Sequence, residues 1–182
     1  MSTYIAMLRG INVGPHKRMK MDKLRTTCEK LGFEDVKTYI QSGNIVFRAA
    51  KLSDIALAKK LGEGIVRGFG FSADVITRTK DEMEQIIANN PLLKKKEADR
   101  SKFHVVFLSE KPSAASLKRL NELTLPPDLV RSVDREIYFY FPKGVSGSSL
   151  WKHSMDRILT ITSTMRNWNT VNALYKMASE IE

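Results

Sequence analysis

The 182-residue sequence contains a single cysteine, Cys28. No intrachain disulfide and no cysteine-based metal cluster can form from one thiol. Cys28 lies on the apolar stripe of a predicted helix and reads as a small buried hydrophobe rather than a nucleophile. Histidine is scarce too. His16, His104 and His153 are dispersed and match no metal-ligand spacing, so no metal site is expected. No G-x-S-x-G elbow occurs, and no glycine-rich loop closes with Gly-Lys-Ser/Thr or follows G-x-G-x-x-G. No cofactor is expected. No run approaches the roughly 20 apolar residues of a membrane helix. Met1 to Tyr4 lead almost directly into a strand-like segment, without the basic and apolar regions of a signal peptide. A cytoplasmic protein without membrane association is expected. Only 10 Gly and 6 Pro are present, which excludes collagenous and low-complexity classes.

Positive charge is what the chain has in excess: 30 Lys and Arg against 20 Asp and Glu, a net charge of +10. Such a balance concerns partners rather than fold. Nucleic acid, anionic metabolites or an acidic protein are all compatible with it. At 42% hydrophobic residues the chain can also bury a real core.

Apolar periodicity divides the chain into two similar halves. Tyr4–Leu8 reads as a buried strand, followed by a loop with Gly10, Gly14 and Pro15 as breakers. Met21, Leu24, Cys28 and Leu31 mark one helix face, stopped by Gly32. Val36–Phe47 alternates about the turn Ser42-Gly43-Asn44, a hairpin pattern. Ser53 and Asp54 open a helix whose stripe runs through Ile55, Ala58, Leu61, Ile65 and Phe69, and Ala73–Arg78 reads as the closing strand. This is a β-α-β-β-α-β, ferredoxin-like order. Thr79 and Glu82 form a capping-box pattern for a short helix. Phe103–Leu108 is then a strand, Ser113–Leu123 a helix, Leu129–Val133 and Ile137–Phe141 a hairpin, and Leu150–Leu159 a helix. Asn169 is the expected cap of a terminal helix. The second half reads β-α-β-β-α-α, with no evident closing strand.

The expected class is therefore α+β, with two successive ferredoxin-like (β-α-β-β-α) subdomains and mainly antiparallel sheets. The expected division is residues 1–79, a connecting helix and charged loop over 80–102, and 103–182 with the terminal helix.

Four stretches could carry function. The first is the loop Arg9 to Arg18 with Lys20. Between Arg9 and Arg25 stand six Lys/Arg and one Asp, and a glycine-bearing strand-to-helix loop can aim N–H groups at an anion. The bland alternative is a turn that needs Gly10 and Gly14 for backbone shape, rimmed by solvated cations. The second is Gln41-Ser42-Gly43-Asn44, whose amides can read base edges or simply bond their own turn. The third is Arg166-Asn167-Trp168-Asn169, with a fork for phosphate or carboxylate and a ring for stacking; the alternative is a helix cap and hydrophobic staple. The fourth, Lys94 to Lys102, reads as a solvated charged loop.

Arg9-Gly10-Ile11-Asn12-Val13-Gly14, Tyr39 through Phe47, and Arg166-Asn167-Trp168-Asn169-Thr170-Val171 together resemble the signatures of the bacterial family catalogued as domain of unknown function 1697. The resemblance spans nearly the whole chain. It implies two ferredoxin-like subdomains, no known reaction and no established catalytic residue. Pro15 stands where the family commonly has a second glycine, and Met165 where a small or hydroxyl residue is common. Pro15 stiffens the loop and removes one backbone donor.

The leading expectation is a binding protein for a phosphate-bearing partner, either nucleic acid or a small phosphorylated ligand. Arg9, Lys17, Arg18 and Lys20 supply the field on the Gly10, Asn12 and Gly14 loop. Gln41, Ser42, Asn44, Arg166, Asn167 and Asn169 supply directional contacts, and Trp168 a stacking face. The rivals are an enzyme acting on a small anionic metabolite in a cleft between subdomains, and a protein-interaction module with a basic face.

Overall fold

The computed structural model describes residues 1–94 and 98–181. Lys95, Lys96 and Glu97 of the charged loop lie outside the described residues. The chain divides into two compact units, one comprising Met1–Gln85 and the chain from Ala173 onward, the other Ile86–Asn172. Among the described residues no helix is long and apolar enough to cross a membrane.

The first half runs β1 (Ser2–Leu8), α1 (Met21–Lys30), β2 (Glu34–Tyr39), β3 (Asn44–Ala49), α2 (Asp54–Phe69), β4 (Val75–Thr79) and α3 (Lys80–Ala88). Its strands form one antiparallel sheet in the order β2-β3-β1-β4. Tyr4, Ala6, Leu8, Ile45 and Phe47 build the core on one sheet face with Leu24 and Cys28 of α1 and Leu57, Leu61 and Ile65 of α2. The expected stripe through Ile55 is corrected here. Ile55 is exposed, and the stripe starts at Leu57. Leu57, Leu61, Gly64 and Ile65 follow the i, i+4, i+7, i+8 spacing of one helix face, and Ile55 falls off it.

Local signals fix the helix ends. Ser53 Oγ accepts the Ala56 N–H at 3.3 Å, satisfying one orphan donor of α2. Thr79 Oγ1 accepts the Glu82 N–H at 3.1 Å, and the Glu82 carboxylate accepts the Thr79 N–H at 2.8 Å. This reciprocal pair is the capping box expected before α3.

The second half runs β5 (Phe103–Leu108), α4 (Ala114–Leu123), β6 (Leu129–Val133), β7 (Glu136–Tyr140), α5 (Met155–Leu159), β8 (Ser163–Asn167) and α6 (Trp168–Ser179). Its sheet order is β6-β7-β5-β8. Two expectations are corrected. A closing strand does exist: β8 pairs antiparallel with β5 from Ser163 opposite Leu108 to Asn167 opposite His104. Its buried residues Ser163, Thr164 and Arg166 are polar, so it shows none of the apolar alternation that betrays a strand. The single helix over Leu150–Leu159 is instead one 3-10 turn at Ser149–Lys152 followed by α5. His153 between them is extended, and Ser148 Oγ starts the first turn by accepting the Leu150 N–H at 3.1 Å.

The halves correspond strand by strand. Ile5 pairs with Val46 and Arg78, while Val105 pairs with Tyr138 and Arg166. Leu8 N–H donates to the Gly43 carbonyl, as Leu108 N–H does to that of Arg135. In both sheets the central strands are buried on both faces, with Ile5, Met7 and Val46 as inaccessible as Tyr4, Ala6 and Phe47.

Candidate functional site

β1 delivers the chain into the first basic loop, and the β2–β3 hairpin tip stands beside it. The Arg9 N–H donates to the Asp74 carbonyl at 3.0 Å, on the other flank of β1. Asn12 then closes the loop. Its N–H donates to the Lys17 carbonyl at 3.1 Å. Its side-chain Oδ1 accepts the Met19 N–H at 2.8 Å, and its Nδ2 donates to the carbonyls of Met19 (2.9 Å) and Gln41 (2.8 Å). Asn12 has φ 53°, a left-handed conformation that asparagine tolerates better than most residues. Asn44 braces the hairpin from inside. It is fully buried, and its Nδ2 donates to the Tyr39 carbonyl at 3.1 Å and to Ser42 Oγ at 2.9 Å.

The first two motifs thus come together: the Asn12 amide is spent on its own loop and on the hairpin tip, and the Asn44 amide within the hairpin. Asn12, Ser42 and Asn44 act as a clamp rather than as open ligand contacts. What the clamp presents is the loop tip. Gly14, Pro15, His16, Lys17, Arg18 and Lys20 are exposed, as are Gln41 and Gly10, and Arg9 is half-buried. Val13 and Ile40 are exposed apolar residues at 74% and 51%. The one acid of the stretch, Asp22, is engaged by Arg25 at 3.0 Å. Lys17, Arg18 and Lys20 have no carboxylate partner among the described residues.

The third motif belongs to the second unit. Arg166 is buried, and one of its η nitrogens donates to Thr164 Oγ1 at 2.8 Å and to the Met165 carbonyl at 2.9 Å. Burial pulls its guanidinium down to about 10, so it stays charged at neutral pH. Trp168 is 3% exposed, and its indole offers no open stacking face. Asn167, not Asn169, caps α6: Asn167 Oδ1 accepts the Thr170 N–H at 2.8 Å. The strand ends one residue before the helix begins, which places the cap two residues earlier than the apolar pattern suggests. Asn169 is exposed. Tyr138 of β7 is buried, with its hydroxyl donating to the Ile86 carbonyl at 3.0 Å, so its ring offers no stacking surface. Among the described residues no group of three or more His, Cys, Asp or Glu is placed to hold a metal ion.

A family model described as "Protein of unknown function (DUF1697)" matches residues 1–138. The chain belongs to this family. Among solved structures, the conserved bacterial protein SP0830 from Streptococcus pneumoniae aligns with this DUF1697 chain at a TM-score of 0.78 and 23% identity. The alignment covers 97% of this chain and 98% of that one, and it establishes a shared fold. No curated protein matches.

Arg78 is the residue that motif reading missed in this DUF1697 protein. It is among the largest fully buried side chains, and an η nitrogen donates to the Thr77 carbonyl at 2.7 Å. Arg78 stands in β4 where Arg166 stands in β8, and each directly precedes a helix-capping residue, Thr79 or Asn167. The equivalence rests on strand register, Ile5 opposite Arg78 and Val105 opposite Arg166, because the apolar pattern puts the second cap at Asn169 and would set Arg78 against Trp168. The pairing also gives Arg166 a role repeated in the scaffold: both guanidinium groups bond the carbonyl of the preceding residue on an edge strand.

Proposed function

We propose that this protein binds a phosphate-bearing polyanion, nucleic acid, through the basic loop Val13 to Lys20 of the first unit. The observation that carries the reading is Lys17, Arg18 and Lys20, exposed and without carboxylate partners on a loop that Asn12 pins at both ends. Cations held on a fixed loop lose less conformational freedom on binding than cations on a floppy one. A projecting loop suits an extended phosphate backbone better than an enclosed small substrate. Contact falls on this loop and not on the sheet, because Ile5, Met7, Val46 and Tyr138 are buried. Base-edge readout through Asn12 or Asn44 is not part of the proposal, since both amides are engaged. Binding is therefore largely independent of sequence, with Gln41 the one exposed amide beside the loop.

The test is fluorescence anisotropy with labelled single- and double-stranded oligonucleotides of mixed sequence, for the natural chain and for K17Q/R18Q/K20Q. Micromolar binding at low salt, lost in the triple variant, is expected. Absence of binding at low salt, or binding that survives the triple variant unchanged, rejects the proposal.

A further inference from the structure

A second cationic feature lies between α1 and α2, and it shares no residue with the basic loop, the hairpin tip or the Arg166–Asn169 motif. α1 and α2 pack side by side in antiparallel sense: Gly64 of α2 lies against Leu31, Gly68 against Thr27, and the Lys23 ammonium sits 4.9 Å over the Phe69 ring. A β-carbon at Gly64 would approach Leu31 Cδ1 to 2.7 Å, so the glycine leaves the space that the Leu31 side chain fills. Along their seam runs an open groove of about 380 Å³ lined by Lys23, Lys30, Arg67, Thr26, Thr27 and Leu31 with the two glycines.

The chemistry of that lining is one-sided. Three cations face the groove and no acid lines it. Lys30 has no carboxylate partner among the described residues, and Arg67 meets Glu63 only at 4.0 Å. The cation–π contact holds Lys23 in place without neutralising it. The threonines are equally specific. Thr26 Oγ1 donates to the Asp22 carbonyl at 3.1 Å and Thr27 Oγ1 to the Lys23 carbonyl at 2.7 Å. Their hydrogens are used, and what they retain is lone pairs that accept. Cations beside hydroxyl acceptors match a molecule that carries both anionic oxygens and O–H donors. The volume falls in the range of small-ligand sites.

We infer that the α1–α2 groove is a binding site for a small hydroxylated phosphate ester. Lys30 and Arg67 hold its phosphate, Lys23 adds field, and Thr26 and Thr27 accept from its hydroxyls. The site shares no residue with the proposed nucleic-acid loop, and either can fail without the other.

The experiment titrates glycerol 3-phosphate, inorganic phosphate and glycerol separately into the 15N-labelled full chain and follows amide shifts. Saturable shifts confined to residues 23–31 and 64–68 are expected with glycerol 3-phosphate. Inorganic phosphate should bind at least fivefold more weakly and glycerol not at all. K30Q/R67Q should weaken the ester at least tenfold. K17Q/R18Q/K20Q should leave it unchanged while abolishing oligonucleotide binding. Shifts that do not saturate, that fall outside these residues, or that persist in K30Q/R67Q overturn the site. Equal affinity for phosphate and its glycerol ester overturns the role of the threonines.

Discussion

Gly43 and Ile11 touch so closely that no side chain can stand between them. A β-carbon at Gly43 would lie 2.7 Å from Ile11 Cδ1 and 2.7 Å from Leu8 Cβ, and Gly43 has φ 76°. The hairpin tip and the basic loop are thus two halves of one knot, joined by a missing side chain and by the Asn12–Gln41 bond. Gly43→Ala should therefore destabilise the protein by about 3 kcal/mol, from overpacking and a strained left-handed residue together. Gly14→Ala is the control: its φ is 66°, but nothing lies within 4 Å of its added carbon. It should cost only about 1 kcal/mol, the backbone share alone. Urea denaturation of the two variants separates the contributions, and equal losses would show that the close contact is not a constraint.

Asn12 should be intolerant even of its closest isostere. Three side-chain hydrogen bonds, each worth roughly 0.5–1.5 kcal/mol net, put the loss in Asn12→Ala at about 2 kcal/mol. Asn12→Asp keeps the acceptor for Met19 N–H but turns a carboxylate oxygen toward the carbonyls of Met19 and Gln41. Those carbonyls favour the protonated acid, so its pKa rises on folding. Relative to the natural chain, the Asp variant should gain stability as pH falls through that raised pKa. Thermal melts from neutral to acidic pH check the sign. A pH-independent difference would mean that the amide hydrogens are not the essential feature.

The α6 cap distinguishes two neighbouring asparagines. Asn167→Ala removes the acceptor for Thr170 N–H and should cost about 1 kcal/mol. Asn169→Ala, at an exposed position, should stay within about 0.5 kcal/mol of the natural chain. The reverse order in denaturant midpoints would place the helix start where the apolar pattern alone puts it.

Cys28 gives the stability a defined alkaline slope. Burial, with a smaller contribution from Glu29, pushes its thiol up to about 12 from 9.0. Between those values the unfolded chain releases a proton that the folded chain keeps. Stability therefore falls as pH rises through that window, by up to about 1.4 kcal/mol per pH unit from this group. Cys28→Ala should flatten that share of the slope. In the natural chain, thiol-reactive dyes at neutral pH should label Cys28 only as fast as the protein opens.

What could be read from sequence was whatever is encoded locally. The hairpin about Gly43, the Ser53 cap and the Thr79–Glu82 box depend on residues a few positions apart, and they stand where their patterns place them. β8 escaped because an edge strand paired on one side, with Ser163, Thr164 and Arg166 buried, carries no apolar alternation. The candidate site was half legible. Charge and glycine marked the loop, but the fate of a polar side chain depends on its distant partners. Asn12 bonds to Gln41, 29 residues away, and nothing local distinguishes a clamp from a ligand contact. The α1–α2 groove was invisible for the same reason, since Lys30 and Arg67 meet only after the helices pack.

The most direct measurement is the salt dependence of oligonucleotide affinity for the natural chain and for K17Q/R18Q/K20Q. If the three loop cations contact phosphates, log K falls linearly with log salt, and the slope for single strands drops by about 2 in the triple variant, roughly 0.7 per lost contact. Identical slopes, or affinity indifferent to salt, would contradict a phosphate-binding role for the loop.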